Sequence, residues 1–255
     1  IQPAANVNDL VAASFALLFL PLASRLIERG GGAELNAVYW RTAAWQIALT
    51  MPVFLLNFSF APTTTVILAG QQYESSAIVL ATLATGAFVA TALGPAQLVL
   101  VAAGRIRYIV IGNVMMAVVS IALLLLLVPP LGPLGAALAT AIAVVLQRGY
   151  ELLGLGRTAV SRVSMANLGL TLTVAAAALT LLAIQEFLNP PLIVAFAIAG
   201  AMVLLTFRLF SGVLAVDQTF PEVLRIPGAR LVLGHPAVAT IAAEEASSES
   251  MRIPR

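Results

Sequence analysis

The chain has 255 residues, 61% of them apolar and 9% charged, with a formal net charge of +2; soluble domains carry about 25% charged residues. This composition excludes an ordinary soluble domain and a large aqueous catalytic domain. All 13 basic residues are arginine, too few and too dispersed for a nucleic-acid surface. There is no cysteine, so disulfides, thiolate nucleophiles and zinc-thiolate sites are excluded, and the one histidine, His235, cannot make a metal cluster.

Apolar runs follow one another at about 9–27, 43–68, 76–102, 107–128, 132–153, 166–185 and 190–212, separated by short polar or Pro/Gly-rich breaks. Each is long enough to cross the roughly 30 Å hydrocarbon core as a helix. Helices are required because lipid offers backbone N–H and C=O groups no partner. The expected fold class is therefore all-α, a polytopic transmembrane helix bundle of about seven spans occupying 1–212.

Arginine placement tests this segmentation separately, since cytoplasmic connections hold the Arg excess. The first connection contains Arg25, Arg29 and Arg41, the third Arg105 and Arg107, and the fifth Arg148, Arg157 and Arg162. Arg208, Arg225, Arg230, Arg252 and Arg255 follow the last run, and the second, fourth and sixth connections contain none. The alternation puts the first residue outside and the last in the cytoplasm. Residues 213–243 mix Pro, Gly, Val and Leu without reaching span length, which fits a cytoplasmic or interfacial segment; 244–255 reads as a disordered tail. The chain begins with Ile1 and enters its first span from outside, so we expect an N-terminal lobe to be missing from it.

Small residues recur at helix-packing spacing: Gly86, Ala90 and Gly94 in the third run, and Gly135, Ala139 and Ala143 in the fifth. Such rows let backbones approach closely, either as static packing inside a bundle or as a substrate-facing, sliding surface. Pro52 and Pro62 in the second run and Pro95 in the third each remove an intrahelical hydrogen bond and favour a kink. Those kinks are either structural or bends that move during alternating access. Pro52 with Asn57 puts a freed carbonyl and a polar side chain in one span.

Gln46, Asn57, Gln97, Asn113, Gln147, Arg148 and Glu151 are the polar residues in or near the spans. Arg148 and Glu151, three residues apart, can form a surface pair. Alternatively Arg41, Arg105, Arg107 and Arg148 border a cytoplasmic vestibule for a phosphate-bearing substrate, with Asn57 and Gln97 as further substrate contacts; anchoring at lipid headgroups accounts for the same arginines. No carboxylate pair lies at membrane depth, no Ser/His/Asp set can form, and no P-loop is present. No enzymatic activity, metal or cofactor is expected.

Four stretches carry a family resemblance. Leu20-Pro21-Leu22-Ala23-Ser24-Arg25 with Arg29-Gly30 and Glu34-Leu35, then Leu68-Ala69-Gly70-Gln71-Gln72-Tyr73, then Ala102-Ala103-Gly104-Arg105-Ile106-Arg107, then the run Val128 to Thr140 (VPPLGPLGAALAT) resemble, in that order, the second lobe of polysaccharide flippases of the multidrug/oligosaccharidyl-lipid/polysaccharide exporter superfamily. The resemblance implies the C-terminal half, spans eight to fourteen, of a MATE-like flippase fold. It further implies alternating access that moves a polyprenyl-diphosphate-linked oligosaccharide across the bacterial cytoplasmic membrane for cell-surface polysaccharide synthesis. Implied partners are the lipid-linked glycan, membrane lipids, and polysaccharide polymerase and ligase proteins. Two rivals remain: a drug/cation antiporter of the same superfamily, and a non-transporting scaffold of a polysaccharide synthase.

Overall fold

A computed structural model describes residues 19–156, 164–188 and 191–211. Among these the chain is helical, with no strand. The elements are α1 (19–28), α2 (Gly32–Phe58), α3 (Ala61–Ala69), a 3-10 helix (Gln71–Ser76), α4 (Ala77–Ala92), α5 (Ala96–Ala102), α6 (Ile106–Leu131), α7 (Pro133–Leu155), α8 (Met165–Leu188) and α9 (Leu192–Leu209). Span segments before residue 19, Arg157, Arg162, His235 and everything after 211 lie outside the described residues.

Among the described residues four helical segments are long and apolar enough to cross a membrane: Gln71–Ala92, Ile106–Leu131, Pro133–Leu155 and Met165–Leu188. A fifth is added if the bent pair α2 and α3 forms one span. The expected seven include the run 9–27, most of which lies outside the described residues. α9 has 18 residues, which at 1.5 Å per residue is about 27 Å, a little short of the hydrocarbon core. α6 is the clearest membrane helix. Val110, Val114, Val118, Ile121 and Leu125 form an outward stripe at three- and four-residue spacing, each more than half exposed. In water such a face would drive aggregation; against lipid it is the stable arrangement. The long apolar helices and their outward apolar faces fit a multi-pass membrane protein.

α2 is the central helix, packing on α3, α4, α8 and α9. Its first half places Leu35, Tyr39, Trp40 and Ala43 in a core shared with α1, Ala96, Val99 and Leu100 of α5, Ile109 of α6 and Leu155 of α7. Its second half joins Phe88 of α4, Leu170, Val174 and Leu181 of α8, and Ala195 and Ala199 of α9. Phe54 stacks on Phe88 with ring centroids 4.2 Å apart, and Phe60 on Phe196 at 4.7 Å.

Several sequence expectations need correction. α2 begins at Gly32 rather than near residue 43, because the run 32–42 is already a good helix former with Glu34 favourably placed in the first turn; Arg41 is thus a helix residue, not part of a connection. The second run is not continuous: Ser59 and Phe60 break it, with an 83° bend between α2 and α3. Pro62 sits in the first turn of α3, where its missing N–H costs nothing, so it starts a helix instead of kinking one. Pro52 does lie inside α2.

The third run is likewise two helices. Gly94, at φ +80°, and Pro95 separate α4 from α5, and Pro95 caps α5 rather than bending a span. Gly94 therefore lies beyond the Gly86–Ala90 row. A Cβ there would come within 2.9 Å of the Tyr39 ring. The fourth connection shrinks to Gly132 at φ +56°, since Pro129 and Pro130 are in the last turn of α6. A tight one-residue turn makes α6 and α7 an antiparallel hairpin, and Gly135 lets α7 pass the Leu127 carbonyl oxygen, which a Cβ would strike.

The small-residue rows sit at helix contacts. A Cβ on Gly86 would lie 2.5 Å from the Ala141 Cβ of α7, and Ala139 and Ala143 are fully buried. We expect Gly86→Val to lower stability by about 1–3 kcal/mol through overpacking, whereas Gly149→Ala, where nothing lies within 4 Å, leaves it unchanged or slightly raised. Thermal denaturation of the two variants in detergent checks this; equal midpoints would mean that α4 and α7 do not meet at Gly86.

Candidate functional site

Tight turns and antiparallel packing bring all described arginines to one end of the bundle. Asn167 Nδ2 donates to Trp40 O (2.7 Å), tying the start of α8 to the first half of α2. Arg105 Nη1 donates to Gly154 O (3.2 Å), tying the start of α6 to the end of α7. Phe210 lies against Gly169, so the end of α9 reaches the same level. Arg25, Arg29, Arg41, Arg105, Arg107, Arg148 and Arg208 therefore share this end, while Glu74 and Glu186 occupy the opposite one. The arginine rule makes this the end expected from the sequence to face the cytoplasm.

One to two turns inside that end, α5, α6 and α7 enclose a polar network. Gln147 Nε2 donates to Asn113 Oδ1 on α6 (2.6 Å) and to Glu151 Oε1 one turn along α7 (3.2 Å). Arg148 Nη1 donates to Glu151 Oε2 (3.0 Å) and to Gln97 Oε1 on α5 (3.4 Å). The Glu151 side chain is fully buried, and that of Arg148 is 33% exposed. The surface pair expected from the sequence is thus a half-buried one. Both Glu151 oxygens accept a hydrogen bond, as a carboxylate taken out of water requires.

Local packing explains how α7 keeps its polar face against α6. Gly112 of α6 has no side chain where Gln147, Tyr150 and Glu151 approach, its Cβ position lying 3.5–3.7 Å from them. Gly154 does the same for the Tyr108 ring, 2.8 Å from its Cβ position. Tyr39 Oη donates to Leu93 O (2.6 Å), satisfying a carbonyl at the break between α4 and α5.

The sequence-derived set is therefore divided. Arg148 and Gln97 meet in the network, and Arg105 lies beside it on the Gly154 carbonyl. Arg107 is exposed at the start of α6. Arg41 belongs to a separate cleft between α2 and the start of α8, with Asn36, Trp40, Ser164 and Asn167. Asn57 is far from either, in the last turn of α2, and Nδ2 donates to Val53 O of its own helix (2.8 Å); it does not reach the Ala48 carbonyl that Pro52 leaves free. Asn113, Gln147 and Glu151 complete the network; the sequence reading had paired Glu151 with Arg148 and had left Asn113 and Gln147 as isolated polar residues. Their i, i+4 spacing on α7 was the available signal; the α6 partner was not readable. Among the described residues no three His, Cys, Asp or Glu side chains come together to hold a metal.

Removing Arg148 alone leaves a buried carboxylate without its counter-charge. With the partial exposure of Arg148 reducing the effect, Arg148→Gln should destabilise by about 1–3 kcal/mol. The double variant Arg148→Gln/Glu151→Gln should recover part of that loss. A double-variant cycle on thermal stability reads the sign directly, and a double variant less stable than Arg148→Gln would remove the charge pair from this account. No family model, curated protein or solved structure matches the chain.

Proposed function

We propose that the chain is the C-terminal lobe of a bacterial cytoplasmic-membrane flippase that moves polyprenyl-diphosphate-linked oligosaccharide by alternating access, without catalysing a chemical reaction. The observation that supports this reading most is the gathering of arginines at one end, leading to a polar network between α5, α6 and α7. A diphosphate is attracted by such a rim because guanidinium groups pair with phosphate oxygens in fixed, charge-assisted geometry. Gln97, Asn113 and Gln147 offer amides next to Arg148 for exchange with hydroxyl groups. The resemblance of the four stretches to polysaccharide flippases supplies the substrate class.

A second reading, the drug/cation antiporter, draws on Glu151. An ionisable residue buried in an apolar helix is a functional candidate by default, and a carboxylate shared between Arg148 and a cation would couple one to the other. Glu151→Gln separates the two readings. It should abolish ion-driven drug efflux in an antiporter, and it should leave glycan export measurable in a flippase whose phosphate is drawn by arginine.

The decisive experiment uses cells lacking the complete gene. Lipid-linked oligosaccharide should build up on the cytoplasmic membrane face and surface polysaccharide should fall, both reversed by the full-length gene. In that gene Arg105→Gln with Arg107→Gln should lower export about tenfold, equivalent to roughly 1.4 kcal/mol, with unchanged membrane insertion. Normal surface polysaccharide in the deletion strain would eliminate the flippase and favour efflux or scaffolding.

A further inference from the structure

A groove runs along the outside of the contact between α4 and α7. It has a volume of about 510 Å³, with Thr82, Thr85 and Val89 of α4 on one side and Ile142, Val145 and Leu146 of α7 on the other. Its floor is low because Gly86 and Ala141 meet there, the Cβ position of Gly86 lying 2.5 Å from the Ala141 Cβ. The Thr82 and Thr85 hydroxyls donate to Ile78 O (2.8 Å) and Ala81 O (2.9 Å) of their own helix. The groove therefore presents hydrocarbon, with no polar side chain of its lining left to pair.

Depth, length and charge together define what would fit. Both walls belong to helices long and apolar enough to cross a membrane, and Ile142 and Leu146 are 41% and 49% exposed, so the groove is open sideways to lipid. From Leu138 to Leu146 it extends about 12 Å at 1.5 Å per residue. That is close to the hydrocarbon thickness of one leaflet, half of roughly 30 Å. Its lower end stops two residues short of Arg148, where α7 turns polar. Gly149 follows Leu138, Ile142 and Val145 at three- and four-residue spacing on the same face, and nothing lies within 4 Å of its Cβ position, so no side chain closes the groove toward the arginine-bearing end. Among the described residues that end carries seven arginines against Glu28, Glu34 and Glu151. Such an excess of positive charge attracts anionic headgroups.

We propose that the groove holds an acyl chain of an anionic phospholipid from the leaflet at the arginine-bearing end. The headgroup stays at the level of the arginines, held by their summed charge rather than by any one guanidinium, and the chain lies along α4 and α7 with its end near Leu138. There it supplies the dispersion contacts that two helices touching through a glycine and an alanine leave unmade. The match to a single leaflet favours a phospholipid over a longer polyprenyl chain. The site needs no glycan transport and does not depend on the function proposed above.

The test is photolabelling of the full-length protein in phosphatidylcholine vesicles that contain a trace of phosphatidylglycerol or, in parallel, of phosphatidylcholine carrying a diazirine on the acyl chain. Adducts are mapped by mass spectrometry. The phosphatidylglycerol probe should label residues 82–89 and 138–146 about fivefold more than the phosphatidylcholine probe does, while both label the outward stripe of α6 equally. Ile142→Trp and Leu146→Trp put bulk into the groove from partly exposed positions. Each should cut groove labelling by phosphatidylglycerol about fivefold and leave labelling of the α6 stripe and the thermal midpoint near those of the parent; Val118→Trp on that stripe should leave groove labelling unchanged. Equal labelling of the groove by the two probes, or undiminished labelling in both groove variants, means ordinary surrounding lipid and overturns the proposal. A polyprenyl phosphate probe that labels the groove more strongly than phosphatidylglycerol overturns the assignment to phospholipid.

Discussion

The need to satisfy every backbone carbonyl and N–H away from water governs this architecture. Continuous helices do so by themselves, but the chain breaks, among other places, at 59–60, 93–95, 103–105 and 132. At each of the first three breaks a polar side chain from the break, or reaching into it, bonds a carbonyl of another helix. Tyr39 bonds Leu93 O, Arg105 bonds Gly154 O, and Ser59 Oγ donates to Ala178 O of α8 at 2.9 Å. The Tyr39 bond satisfies a carbonyl at a break, and all three bonds lock one helix against another. At the fourth the turn is so short that Gly132 N–H simply closes onto Val128 O (2.8 Å).

These bonds converge on α2, α6 and α7 and position the polar network. Arg105 holds the beginning of α6 on the end of α7, which sets Asn113 opposite Gln147. The break at Gly94 and Pro95 turns α5 so that Gln97 reaches Arg148. Gly154 leaves room for the Tyr108 ring, 2.8 Å from its Cβ position, so that α7 and α6 meet closely beside the network. Polarity, close packing and helix breaks are thus one arrangement: without the broken third run the amide of Gln97 would continue up a straight helix away from the arginine.

The arginine-bearing end carries two unlike environments. Around Glu151 both carboxylate oxygens accept a hydrogen bond, from Gln147 and from Arg148, so the buried charge is matched. Around Asn167 and Trp40 the matching is incomplete, with polar atoms sealed from water yet unpaired. A matched network stabilises a helix interface, whereas a buried group left unmatched costs the desolvation of that group. α2 separates them, with Tyr39 turned toward the first and Arg41 placed in the second, two positions along one helix.

The apolar runs, their lengths and the confinement of arginine to alternate connections are properties of composition and order, so the sequence determined by itself that the chain is helical, apolar and asymmetric in charge. Glycines in all four family-like stretches, at 30, 70, 104 and 132, adopt positive φ at helix junctions, and this too was marked locally. The breaks at Phe60 and Gly94 escaped the reading because hydropathy averages over a window, while a break depends on tertiary partners such as the distant Tyr39 hydroxyl that donates to Leu93 O. The same holds for the candidate sites. Arg148 and Glu151 announced a pair through their spacing, but its burial, its link to Gln97 and Asn113, and the separation of Arg41 from it arise from which helix faces meet. Only the tertiary structure decided those, because contacts between residues 34 to 127 positions apart are set by packing and leave no periodic trace in the chain.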